Sequence, residues 1–301
     1  MAIHPVPRKL YKYRPFDVFF LRILTHAEVS YSDPRKFNDP LDCDPTIEVD
    51  IELNDLEHLC YEFLRSTLTD DEAKAEIKNY RYRSSEHGDF RSDPSVEAYL
   101  KSLLAERIRE RLKQELGSQG VLSLSARWDS SLMWSHYADN HKGICIEFDA
   151  TALSHPNLGA VDYLAPRRIR ASDLFDWKKR LSGDAGQRVR NTYFFSKANP
   201  WRYEKEWREL AERSGVRESS FAVTAIHFGL KCDGAVIQTV VKLLDRNPSV
   251  FLYNMYPHKN SFRLKRRSVE RDVIESYGLR TPARIEFKDT FFSTTRARCQ
   301  N

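Results

Sequence analysis

Gly120-Val121-Leu122-Ser123-Leu124-Ser125 and Ile144-Cys145-Ile146-Glu147-Phe148, with the aromatic stretch from Trp128 to His141 between them, decide the fold class. The first run has strand periodicity and the second is apolar and β-branched, the composition of a buried strand. If Ser130 to Tyr137 is helical, Met133, Trp134 and Tyr137 cover one face. Gly143 then stops the turn before the second strand.

Working outward, Lys9 to Tyr13 alternates basic and apolar residues and predicts a short strand stopped by Pro15. Phe16, Phe19, Phe20, Ile23 and Leu24 form a helical stripe, and Glu28 to Tyr31 predicts another strand. Two proline-marked turns follow, Ser32-Asp33-Pro34 and Phe37-Asn38-Asp39-Pro40. From Asn54 to Leu116 the pattern is helical, with stripes at Leu56, Leu59, Cys60, Phe63, Leu64 and at Leu100, Leu104, Ile108, Leu112. The polar stretch from Tyr80 to Pro94 is expected as a mobile loop between them. Downstream, Asp173 to Ala198 predicts a helix, Trp207 to Ala211 and Phe221 to Phe228 strands, Asp233 to Asp245 a helix and Ser249 to Tyr256 a strand. Strands and helices interleave without regular βαβ spacing, which favours an α+β fold over a doubly wound one. The expectation is a mixed or split β-sheet core in one domain, residues 1–256, with a helical insertion at 54–116. Residues 257–301 are expected as a basic C-terminal extension.

The 301 residues are 41% hydrophobic and 30% charged, enough to bury a core without disulfide or metal staples. Five cysteines stand singly, with no CxxC pair, so neither a zinc ribbon nor a disulfide framework is indicated. The longest apolar runs are far too short to span a bilayer, and Met1 to Leu10 has no apolar leader segment. A cytoplasmic protein without a membrane partner is expected. The net charge of +5 permits an anionic partner without demanding one. There is no GxGxxG, Walker A, HExxH or GxSxG motif, which removes the commonest nucleotide-binding, zincin and hydrolase chemistries.

Four segments carry candidate chemistry. Asn38-Asp39-Pro40 is either a rigid turn or a pair of polar groups facing a ligand. In Met133-Trp134-Ser135-His136-Tyr137, His136 or Tyr137 lines a pocket unless the segment is only a packed aromatic helix. His136 and His141 fall on different helical faces, so they make no chelating pair. In Trp201-Arg202-Tyr203-Glu204-Lys205-Glu206-Trp207-Arg208, an extended backbone would put Glu204 and Glu206 on one face. Paired carboxylates push their pKa values apart, which suits work on a developing sugar cation. The alternative is an ion network with Arg202, Lys205 and Arg208. Finally, Arg263, Lys265, Arg266 and Arg267 form a basic run, either a solvated face or a phosphate-contacting surface for nucleic acid.

Taken in order, these segments resemble a bacterial family known as domain of unknown function 2971. The likeness rests on Leu10-Tyr11-Lys12-Tyr13-Arg14, Phe37 to Asp42, Leu122-Ser123, Met133 to Phe148, Lys197, Trp201 to Arg208 and Ile226 to Gly229. A weaker likeness is to the ADP-ribosyltransferase layout, in which NAD lies across a split sheet. That resemblance implies an enzyme using NAD as substrate, without a metal, to modify nucleic acid or protein, in the manner of a toxin or phage-defence effector. Carried onto this sequence, it makes Tyr13 or Arg14 the NAD anchor and Arg14 a phosphate contact. Asn38 and Asp39 become the polar turn, Trp134, His136 and Tyr137 the pocket and stacking residues, and Glu206 or Glu204 the catalytic acid. Two other readings stand beside it: a non-catalytic nucleic-acid-binding module using the basic run, and, ranked last, a metal-dependent nuclease using Asp39, Asp42, Asp44 and Glu204.

Overall fold

A computed structural model describes residues 5–85, 94–151, 153–245 and 247–270. The chain opens with β1 (Lys9–Arg14), α1 (Val18–His26) and β2 (Glu28–Tyr31), followed by β3 (Thr46–Glu48). Three helices come next: α2 (Leu53–Arg65), α3 (Asp70–Ser85) and α4 (Pro94–Leu116). The central run is β4 (Gly120–Ser125), α5 (Ser131–Tyr137), β5 (Ile144–Asp149), β6 (Leu158–Ala160) and β7 (Arg168–Arg170). Then come α6 (Ala171–Lys179), α7 (Gly183–Phe195), β8 (Glu206–Ala211), β9 (Gly215–Glu218) and β10 (Ala222–Phe228). The described chain closes with α8 (Gly234–Leu243), β11 (Phe251–Pro257) and β12 (Leu264–Ser268).

Eight strands form one mixed sheet in the order β12-β11-β10-β5-β1-β4-β8-β6, with β10 and β11 parallel and the other neighbours antiparallel. This is the α+β fold with a mixed sheet that the spacing predicts. One face is apolar: Leu10, Leu124, Ile146, Phe148, Ile226 and Phe228 pack under Phe20 and Ile23 of α1 and Val240 and Val241 of α8. Each such side chain removed from water contributes roughly 1.5–3 kcal/mol. The other face is shared. Met133 and Trp134 of α5 cover Tyr11, Tyr13 and Cys145 at one end. At the other, α2, α4, α6 and α7 build a second apolar body around Leu56, Leu104, Ile108, Leu174 and Phe194, reaching the sheet at Val121.

Between those two covers the sheet is split. β1 matches β5 from Lys9↔Asp149 to Arg14↔Ile144, and β4 matches β8 from Gly120↔Ala211 to Ser125↔Glu206. β1 and β4 themselves meet at one register position, Tyr11 opposite Ser125. Lys12 reaches across the gap, its amine donating to the Ser123 carbonyl at 2.8 Å.

Several boundaries differ from the sequence reading. The helix expected over Asp173 to Ala198 is two helices. Leu181 takes a left-handed backbone (φ 55°), and Ser182 caps α7 by accepting from the Ala185 amide. Tyr80 to Ser85, expected in a loop, belong to α3, because Tyr80 is buried and Arg81 pairs with Glu57, which hold the last turn of that helix. Pro94 already belongs to α4, and residues 86–93 lie outside the described residues. The basic run is not separate from the sheet: Lys265, Arg266 and Arg267 lie in its edge strand β12, with Arg267 opposite Asn254 and Lys265 opposite Tyr256. Residues 271–301 of the expected extension lie outside the described residues.

β12 also closes a buried polar cluster. His227 is fully buried, and its Nε2 lies 2.7 Å from Arg266 Nη1 while its Nδ1 lies 3.2 Å from the Cys145 carbonyl. Arginine can only donate, so Nε2 accepts and Nδ1 carries the proton of a neutral ring. Burial and the Arg266 charge hold His227 down to about 4. An unfolded chain would take up that proton near pH 6.5, so the folded state is at full strength above pH 6.5 and weakens as pH falls toward 4. The expected loss is roughly 3 kcal/mol. Thermal midpoints recorded between pH 7 and 4 should fall less steeply in His227→Gln; an equal fall would remove His227 as the cause.

Candidate functional site

Six parts of the chain converge where β1 and β4 part. Tyr11, Lys12 and Tyr13 come from β1, Ser123 and Ser125 from β4, and Asn38 from the proline-marked turn. Tyr137 ends α5, Lys197 follows α7, and Glu204 and Glu206 flank the start of β8. Together they line a cleft of about 210 Å³.

The two glutamates reach the cleft by a route that strand alternation does not foresee. Asn199–Glu204 is a 3₁₀ helix opened by Pro200, so Glu204 is not in extended backbone. Lys205 then takes the left-handed conformation (φ 46°, ψ 49°), which reverses the chain so that Glu206 begins β8. Both carboxylates end on one amine: Lys197 Nζ donates to Glu204 Oε2 at 2.5 Å and to Glu206 Oε2 at 2.9 Å. The Tyr137 hydroxyl donates to Glu204 Oε1 at 2.7 Å, and the Ser125 hydroxyl to the Glu204 backbone carbonyl at 2.5 Å.

Behind them, Arg208 is completely buried. Its guanidinium donates to Glu206 Oε1 at 2.9 Å, to both Asp42 oxygens at 2.9 and 2.6 Å, and to the Phe194 carbonyl at 2.6 Å. This bidentate fork is the geometry in which arginine holds a carboxylate best. The ion network is therefore real, with Lys197 and Arg208 as its cations; Arg202 and Lys205, the other cations of the sequence reading, line a different groove.

The environment separates the two acids. Burial, helped by the Glu206 charge, raises the Glu204 carboxyl above its ordinary range despite the pull of Lys197. Burial acts on Glu206 as well, but Arg208 and Lys197 outweigh it and hold that carboxyl well below the usual range. Lys197 stays protonated because Glu206, Glu204 and Asp42 overcome the effect of its burial. Lys12 is pushed down to about 8 by burial and the Arg14 charge. The site thus holds one carboxylate of lowered proton affinity, one of raised proton affinity, and an amine pushed down to about 8. That separation is the usual mark of a general acid or base beside an electrostatic stabiliser.

Of the residues singled out in the sequence, Tyr13, Asn38, Tyr137, Glu204 and Glu206 are brought together in the cleft. Asp39 stands behind it, accepting from the Trp201 indole at 2.8 Å. Arg14 is not among the lining residues; it pairs with Asp17, the N-cap of α1, at 2.9 Å. Trp134 is fully buried, edge-on to Tyr13 at 5.3 Å, and leaves no face for stacking. His136 packs beside Tyr203 and does not line the cleft. Of the acids of the nuclease reading, Asp42 and Glu204 meet at Lys197 in the cleft, whereas Asp44 is held by Arg109 at 2.6 Å and Asp39 by Trp201. Among the described residues, no group of three or more His, Cys, Asp or Glu could hold a metal ion.

Lys12 is a residue of the cleft lining that the sequence reading did not single out. A signal for it existed, since a lysine sharing strand parity with Leu10, which faces the core, is out of place on a solvated edge. Lys197 lies in the family pattern, but nothing local announces that it bridges both glutamates.

A split mixed sheet with a buried carboxylate–lysine site at the split defines an α+β protein built around a polar cleft. Its residues 133–209, which carry Tyr137, Lys197, Glu204, Glu206 and Arg208, match the family described as "Protein of unknown function (DUF2971)", so the family resemblance is borne out over that segment. No curated protein and no solved structure matches the chain. Among the described residues, no helix is long and apolar enough to cross a membrane.

Proposed function

We propose that this protein is an ADP-ribosyltransferase-like enzyme that takes NAD as substrate and transfers ADP-ribose to nucleic acid or protein. The observation that carries the reading is the pair Glu204 and Glu206, bridged by Lys197 and split in proton affinity, at the gap of a split sheet. The bond that breaks joins the ribose C1′ to the pyridinium nitrogen, and its electrons leave with nicotinamide. The developing oxocarbenium charge falls in the field of the ionised Glu206. An acceptor hydroxyl attacks C1′, and its proton passes to Glu204, whose raised proton affinity makes it the stronger base of the pair.

The cleft of about 210 Å³ is below the ~300–1,000 Å³ of a site for a whole drug-sized ligand, so it takes the reacting end of the substrate rather than the full dinucleotide. The binding-module reading has less support. Arg263 pairs with Asp129, and Arg266 with Glu147 while lying 4.9 and 4.4 Å from the ring centroids of Trp128 and Tyr253. Among the described residues, only Lys265 and Arg267 of that run form no ion pair.

The test is nicotinamide release from NAD by the full chain, alone and with RNA, DNA or cell protein as acceptor. Release establishes the reaction; silence with every acceptor removes it. Tyr137→Phe gives a finer check. Its hydroxyl donates to Glu204 and favours the ionised form. Losing it should slow release about tenfold and move the rising acidic limb of the pH–rate profile to higher pH. An unmoved limb would mean that Glu204 is not the titrating base.

A further inference from the structure

On the outer side of the segment 199–206 lies a second, larger groove of about 1,100 Å³. It is bounded by the edge strand β6, the end of α7 and the 3₁₀ helix. Arg190, Arg202 and Lys205 line it and are exposed. Among the described residues none of the three forms an ion pair. Their neighbours behave differently: Arg188 is paired with Asp173 and Arg208 with Asp42. The groove's own carboxylates are committed elsewhere. Asp162 Oδ1 accepts from the Leu164 and Ala165 amides of its own turn, and Glu206 is turned to Lys197 and Arg208. Three cations without an ion pair among the described residues therefore line one depression, which holds the Asp162 carboxylate besides the engaged Glu206.

The rest of the lining is not that of a bare anion site. Leu158, Val161, Phe195 and Leu210 supply apolar surface, and Asn157 and Asn199 supply carboxamides. A carboxamide offers both donors and an acceptor, the complement of a base edge. Apolar walls with a few polar groups are the usual composition of a small-molecule site.

We infer that this groove is a second binding site, for a phosphorylated nucleoside, with the base and ribose against the apolar wall and the phosphates on Arg190, Arg202 and Lys205. The ligand chemistry is a nucleotide phosphate, which a free nucleoside diphosphate or a single-stranded nucleic acid could present. The inference is independent of the reaction at the cleft, because its readout is binding and not turnover.

Calorimetric titration of the full chain with ADP, and separately with a short single-stranded RNA, tests it. Arg190→Gln, Arg202→Gln and Lys205→Asn are suitable single variants; asparagine tolerates the left-handed backbone at 205. All three side chains are exposed, and unchanged circular dichroism would confirm folding. Each substitution should weaken ADP binding about tenfold, as expected for losing one charged contact, and the triple variant should abolish it. The salt dependence of RNA binding should flatten in the same variants. RNA that binds more tightly than ADP with the same variant dependence supports the site and names nucleic acid as its source. Failure of both probes to bind, or binding that the triple variant leaves intact, overturns the inference.

Discussion

Arg208→Met is expected to cost about 3–5 kcal/mol of stability, the usual price of removing one partner from a buried ion pair. Arg208 is fully buried and holds Asp42 with both nitrogens of its fork while also holding Glu206. Methionine fills much of the volume but leaves Asp42 and Glu206 with Lys197 as their one shared cation. With a folding free energy of about 5–15 kcal/mol for a typical domain, a shift of this size moves a urea midpoint conspicuously. Adding Asp42→Leu should recover part of the loss, because it removes one of the stranded charges, and that coupling separates an electrostatic cause from a packing one. A loss below about 1 kcal/mol in Arg208→Met would show that the network contributes little.

Glu204→Gln is expected to lower the rate of nicotinamide release by about 10²–10⁴, the range for loss of a positioned general base. Glutamine keeps the length of the side chain and can still accept from Lys197, so the thermal midpoint should move little. Glu206→Gln should behave differently. Glu206 is engaged on both oxygens by Arg208 and Lys197, so that variant should lose stability and activity together. Comparing the two by single-turnover rate and by melting divides the chemical role from the scaffolding role. Wild-type rates in Glu204→Gln would return Glu204 to the ion network alone.

The elements on which the site stands were legible because their periodicity is long and clean. β1, β4, α5, β5, β8 and β10 all fall where apolar spacing put them, and Ser130 and Asp233 cap their helices as side chains of that kind do. β3, β6, β7 and β9 were not foreseen. Each is three or four residues long, too short for a period of two to stand out, and each is fixed by a distant partner such as Ile169 opposite Ile47. The cleft was half legible. Aromatic and acidic density pointed to Tyr137, Glu204 and Glu206, but composition cannot tell a side chain that lines a cavity from one beneath it. Trp134 went into the core and Arg14 to a helix cap for that reason. The expected face-sharing of Glu204 and Glu206 came out through a left-handed residue rather than an extended strand, a backbone choice that Lys205 does not advertise.

The gap between β1 and β4 also bears on how the molecule folds and opens. β1 must find β5, and β4 must find β8, across long stretches of intervening chain, a topology that makes for slow folding. Each of those ladders is continuous, while the joint between them is the single Tyr11–Ser125 match and the Lys12 strut. The joint is therefore the weakest backbone seam between those ladders, and the cleft lies along it. Native-state hydrogen exchange should find the amides along this joint opening at lower free energy than those of the β5–β10 ladder. A molecule opened along this joint would carry every residue of the site and none of its geometry, so that a local opening is enough to silence it.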